Sequence, residues 1–147
     1  MPSRDPNAVK GKTAEDEAIG LLVKKGFAEI KRRVRGDPIG FDLKAKLNGC
    51  VVTIEVKGTE SENEIPDSMG NEFDLTDLAN PKLRADFLMI VRLRKDKSNQ
   101  GTYSVLGAHL LPGDYVNGFK QTVKLSVVLS RELKNNLKND REHWVSP

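Results

Sequence analysis

The stretch that most constrains this chain runs from Ile39 to Gly58, IGFDLKAKLNGCVVTIEVKG. It holds two segments of alternating apolar and polar residues joined by Asn48-Gly49, a strong short-range hairpin signal. With Asn48 and Gly49 as the two loop residues, Leu47 faces Cys50, Ala45 faces Val52, Leu43 faces Ile54 and Phe41 faces Val56. Those residues form one apolar face. The other face sets Lys44 opposite Thr53, Asp42 opposite Glu55, and Gly40 opposite Lys57. Directly opposed Cβ atoms lie about 4.5–5.5 Å apart, where like charges repel. Two carboxylates so placed, with a lysine one step along, call for a cation. A slip of one residue would bury Asp42 and Lys44, so the apolar pattern supports this register.

Composition narrows the class. The chain has 147 residues, enough for one domain with a real core, and 37% of them are hydrophobic. Cys50 is the only cysteine, which excludes an intrachain disulfide, and with two histidines it leaves no Cys/His zinc site. No run approaches ~18 apolar residues, and the N-terminus lacks a signal-peptide core, so a soluble, cytoplasmic protein without membrane contact is expected. The net charge of +3 proves no nucleic-acid partner, and distribution matters more.

Residues 1–10 read as a loose, flexible arm before a single domain over 11–147. Gly11-Lys12-Thr13 resembles the end of a phosphate-binding P-loop but lacks its first glycine and preceding strand. Thr13 reads instead as a helix N-cap, with Asp16 completing a capping box and Ala14, Ala18, Leu21 and Leu22 forming the buried stripe to about Lys25. Gly26 ends the helix. Glu15 borders that stripe and wants a partner, unless it is a solvated first-turn acid. Phe27–Val34 reads as a strand. Its cluster Lys31, Arg32, Arg33 and Arg35 is either a charged edge that discourages aggregation or a phosphate-contacting patch.

Beyond the hairpin, residues 58–70 read as an acidic loop and Phe73–Leu83 as a helix. Asp86–Leu93 reads as a strand buried on both faces. Together with residues 50–57 these make a parallel, right-handed βαβ unit. A basic turn over 94–101, a strand over 102–108, an irregular stretch to 120, a strand over 122–128 and a helix from Ser130 to about Asp140 complete the chain.

Two carboxylates without nitrogen or sulfur ligands suit a hard cation, Mg²⁺ or alternatively Mn²⁺. Beside it, Lys57 can hold an attacking water or stabilise transition-state charge. The plain alternative is a solvent-facing sheet surface on which Lys44 and Lys57 neutralise the acids.

The order of helix with glutamate, strand, Asp-bearing strand, Glu-x-Lys, helix and apolar strand resembles the PD-(D/E)xK nucleases. Gly40-Phe41-Asp42-Leu43 stands for the Asp motif, with Phe41 where the motif names proline, Ile54-Glu55-Val56-Lys57 for Glu-x-Lys, and Ala14-Glu15-x-x-Ala18 for the N-terminal helix motif. The IEVKGT wording, with Asn71-Glu72 later as accessory residues, is similar to the nuclease-like domain at the C-terminus of the plant NO VEIN protein. The resemblance covers residues 11–93, leaving 94–147 as a C-terminal elaboration. It implies an α/β, restriction-endonuclease-like core with a mixed central sheet in the order αβββαβ, flanked by helices. It further implies a metal held by Asp42, Glu55 and the Val56 carbonyl, with Lys57 positioning water and Glu15 touching the metal's water shell. A metal-dependent deoxyribonuclease is therefore expected, endonucleolytic and gripping DNA through Lys31, Arg32, Arg33 and Arg35. A homodimer would suit double-strand cutting. The competing reading keeps the fold without the chemistry, as a module binding DNA or a protein, with the acidic loop from Glu60 opposing phosphate approach.

Overall fold

The structure, a computed structural model, describes residues 6–37, 41–60, 85–96, 101–114 and 142–147. Among them are one long helix, α1 (Pro6–Lys24), and six strands: β1 (Ala28–Arg32), β2 (Leu43–Leu47), β3 (Cys50–Glu60), β4 (Phe87–Lys95), β5 (Tyr103–Pro112) and β6 (Trp144–Val145). The strands lie side by side in chain order. Every neighbouring pair is antiparallel except β3 and β4, which run parallel as the βαβ reading requires. The result is a mixed α/β fold. The expected helix over 73–83, the strand over 122–128, the helix from Ser130, and Asn71 and Glu72 all lie outside the described residues. No helix among the described residues is long and apolar enough to cross a membrane.

α1 begins at Pro6, seven residues before the expected cap, so residues 6–10 are helix rather than loose arm. Proline suits a first helical position because its fixed φ is already helical and its missing N–H costs nothing there. Thr13 is not a cap. Its hydroxyl donates to the Val9 carbonyl at 2.9 Å, one turn back within the helix, which also excludes a P-loop at Gly11-Lys12-Thr13. The C-terminus follows expectation. Gly26 sits at φ +91°, the Phe27 N–H donates to the Leu22 carbonyl, and the Gly26 N–H donates to the Val23 carbonyl. That pair of bonds satisfies the last carbonyls in a Schellman turn.

Ala14, Ala18, Leu21 and Leu22 pack α1 on Leu43, Ala45, Ile54, Val56, Met89, Val91 and Leu93. Each large side chain so buried contributes about 1.5–3 kcal/mol. Gly58 lets the helix approach, since a Cβ there would stand 2.9 Å from the Ala14 Cβ and 3.6 Å from the Lys10 carbonyl. For the same reason residues 58–60 are strand, not loop. Gly58, Thr59 and Glu60 continue the ladder opposite Val91, Arg92 and Leu93. β5 likewise runs four residues past the expected end at Ala108, pairing His109–Pro112 with Ile90–Phe87.

Candidate functional site

The hairpin register is the expected one. Leu47 pairs with Cys50, Ala45 with Val52, Lys44 with Thr53 and Leu43 with Ile54, and both Asn48 (φ 52°) and Gly49 (φ 82°) adopt the left-handed backbone of a type I′ turn. The ladder stops there, and the expected pairs Asp42–Glu55 and Phe41–Val56 do not continue it. Instead the Asp42 N–H donates to the Ile54 carbonyl at 2.9 Å, doubling back on the position that Leu43 already faces. The Asp42 carboxylate then accepts the Val56 N–H at 2.8 Å. In a continued ladder that N–H would have gone to the Phe41 carbonyl. A short acidic side chain has displaced the backbone as acceptor, as Asp can do at strand ends. The Asp42 carbonyl accepts from the Arg33 N–H at 2.8 Å, so the residue is stitched between the end of β1 and the middle of β3.

Glu55 points away from α1, on the sheet face opposite Ile54. It is 2% exposed, and its Oε1 lies 3.3 Å from Lys57 Nζ. A solvent-facing surface is thereby excluded. A carboxylate so buried costs several kcal/mol of lost hydration and persists only with a partner. Parallel pairing sets Glu55 beside Leu88 and Lys57 beside Ile90.

Glu15 reaches the site from α1. Burial raises its pKa first, the Asp42 charge raises it further, Arg32 opposes, and Asp16 adds a smaller upward push. Glu15 and Asp42 are therefore close enough for their charges to repel. Asp42, near Glu15, holds the Val56 N–H, and the Glu55–Lys57 pair comes from the two residues that flank Val56 in β3. All donors there are oxygens, which fits a hard divalent cation in kind. No three His, Cys, Asp or Glu side chains form a metal-ready group among the described residues.

The basic run divides. Arg32 forms a close ion pair and hydrogen bond with Asp16, and its Nη1 lies 3.6 Å from Glu15. Arg33 donates to the Asp37 carbonyl at 3.0 Å, whereas Lys31 and Arg35 are exposed. Arg92 of β4 is fully buried, so it offers no surface grip for phosphates. Burial also lowers its pKa to about 10.

Two features of this face escape a reading of motifs. Arg92 and His109, both wholly buried, lie on the same side as Glu55 and Lys57. The signal for Arg92 was its spacing of two and four residues from Ile90 and Leu88 within an otherwise apolar strand. Asp86 anchors the start of β4 to β3, accepting from the Thr53 N–H at 2.9 Å and the Thr53 hydroxyl at 3.2 Å.

No protein-family model matches the sequence, and a comparison with curated proteins gives no match. Among solved structures the chain is similar to a bacterial homing endonuclease, at a TM-score of 0.39 and 19% identity, over 78% of this chain and 69% of that one. A likeness of that size assigns nothing to this chain.

Proposed function

We propose that the protein is a metal-dependent nuclease of the PD-(D/E)xK type that hydrolyses DNA phosphodiester bonds. The observation that carries this reading is the pair of buried Glu55 and part-buried Lys57 flanking Val56, whose N–H is held by the Asp42 carboxylate. A charged pair taken out of water within an otherwise apolar sheet favours chemistry over stability, because an apolar pair would stabilise as well or better.

Asp42, Glu55 and the Val56 carbonyl would hold Mg²⁺ or Mn²⁺. When bound, such an ion polarises a phosphoryl oxygen and lowers the pKa of a water. Lys57 Nζ donates a hydrogen bond to the attacking water and fixes its approach, and its positive charge offsets the charge building on phosphorus. The water oxygen bonds to phosphorus as the ester P–O bond breaks; the attacking water gives a proton to solvent, and the leaving sugar oxygen takes one from solvent to depart as a hydroxyl. Glu15, beside Asp42, orients further water and adds negative charge that favours a cation. Lys31 and Arg35, exposed at the sheet edge, contact phosphates.

The test incubates purified protein with plasmid and branched DNA in Mg²⁺ or Mn²⁺. Cleavage by the wild type is expected, with loss in Asp42→Ala and in Lys57→Ala. Undiminished cleavage in both variants overturns the assignment. Calorimetric titration with Mn²⁺ separates the module reading, which predicts no metal binding alongside salt-sensitive DNA binding.

A further inference from the structure

The pleat sorts the basic run into two sets with different work. Lys31 sits directly opposite Lys44, and Arg32 directly opposite Leu43. Leu43 packs in the core under α1, so Arg32 falls on the helix side, where Asp16 and Glu15 meet it. Lys31 and Lys44 therefore fall on the other side. Lys44 is in turn paired with Thr53, two residues before Glu55 on the same face of β3. A row Lys31–Lys44–Thr53 thus crosses three strands and leads to the Glu55–Lys57 pair.

Two lysines directly opposed repel. Lys44 has one ion pair, to Asp37 at 3.8 Å, and its Nζ lies 5.8 Å from the centre of the Phe41 ring. Lys31 is exposed and makes no ion pair among the described residues. Asp37 meets Lys44 at 3.8 Å and the Asp86 carboxylate is held at Thr53, so the uncompensated charge of the row lies at its outer end, on Lys31. Protection of an edge strand accounts for Lys31 on β1. It does not account for Lys44, because β2 lies between β1 and β3 and has no free edge. Strand spacing of about 4.8 Å and a rise of about 3.3 Å per residue put the Lys44 and Lys31 backbones about 8 and 12 Å from that of Glu55.

We propose that Lys31 and Lys44 together form a clamp for the DNA phosphate backbone on the Glu55/Lys57 face, with Arg32 outside it. The proposal rests on the nuclease reading for its choice of DNA as the polyanion, and its test needs no cleavage. Binding of a fluorescent duplex is followed against salt in EDTA. Each phosphate contact contributes about 0.9 to the slope of log K on log salt. Lys31→Gln/Lys44→Gln is expected to lower that slope by about 2, Lys31→Arg/Lys44→Arg to retain it, and Arg32→Gln to leave it unchanged. An unchanged slope in the double Gln variant overturns the clamp, as does no salt-dependent binding by the wild type or an equal loss in Arg32→Gln. If the double Gln variant loses the slope but cleavage survives both Asp42→Ala and Lys57→Ala, the clamp stands and the nuclease reading falls. The converse pattern sinks the clamp alone.

Discussion

Ile54 and Glu55 are neighbours in β3, and both are almost wholly buried, yet they answer to different demands. Ile54 faces α1 among Leu22, Leu43, Val56 and Met89, in a layer built of apolar side chains. Glu55 faces the other way, on a side that also buries Arg92 and His109 among Leu88, Ile90 and Leu111. The first layer needs nothing but hydrophobic burial. The second takes charged groups out of water, where ion pairs rarely repay their desolvation. One face is built for stability alone, and the other accepts charged groups that stability does not ask for.

The sharpest way to break that division is Glu55→Gln, which keeps shape and removes charge. Cleavage is expected to fall about 10²–10³-fold or more, measured on plasmid at saturating metal. The melting temperature should move by less than about 4 °C. Full activity would place the chemistry elsewhere. One residue away, Ile54→Ala should do the reverse. It should cost about 2–5 kcal/mol in urea unfolding while leaving activity per folded molecule near the wild-type level. Gly58→Ala sits between the two. Its new Cβ, 2.9 Å from the Ala14 Cβ, must push α1 off β3. A loss of about 1–3 kcal/mol is expected, with reduced cleavage because Glu15 rides on the same helix. An unaltered unfolding midpoint would show that α1 yields freely there.

These contrasts also mark what a reader of the sequence could see. The register of β2 on β3 was legible because turn chemistry is local: Asn48 and Gly49 tolerate positive φ and leave one way to align the apolar residues. The buried stripe of α1 and its stop at Gly26 were legible for the same reason. The start of α1 was not, since Thr13 suits a cap and a helix interior alike, and only the Val9 carbonyl decides between them. Nor was the break at Asp42, where a side chain takes over from the backbone. β1 hides a bulge between Ala28 and Lys31, with Glu29 at φ 50°, that no alternation announces. β6 has two residues and depends on a distant glycine: Trp144 fills the space that a Cβ on Gly107 would occupy. Such close approaches join residues far apart in the chain, so local pattern carries no trace of them.

Glu15 offers the smallest effect and the finest distinction between the faces, because it stands on the helix of the stable layer yet feels the Asp42 charge. Burial and the Asp42 charge raise its pKa above the ordinary glutamate value. A raised carboxyl pKa means that the folded protein binds the proton more tightly than the unfolded chain does. Its stabilising protonation is complete below the unfolded pKa of about 4.3 and is lost as pH rises through the folded value. Glu15→Gln should therefore match the wild type in stability near pH 4 and exceed it at pH 7, by up to about 1 kcal/mol. Cleavage should fall roughly 10-fold if Glu15 works through water rather than on the reacting atoms. Urea midpoints of both proteins across that pH range check the first half. A variant less stable at pH 7 would show that the pairing of Glu15 with Arg32 outweighs its repulsion by Asp42, which would make the residue a brace for α1 rather than part of the charged site.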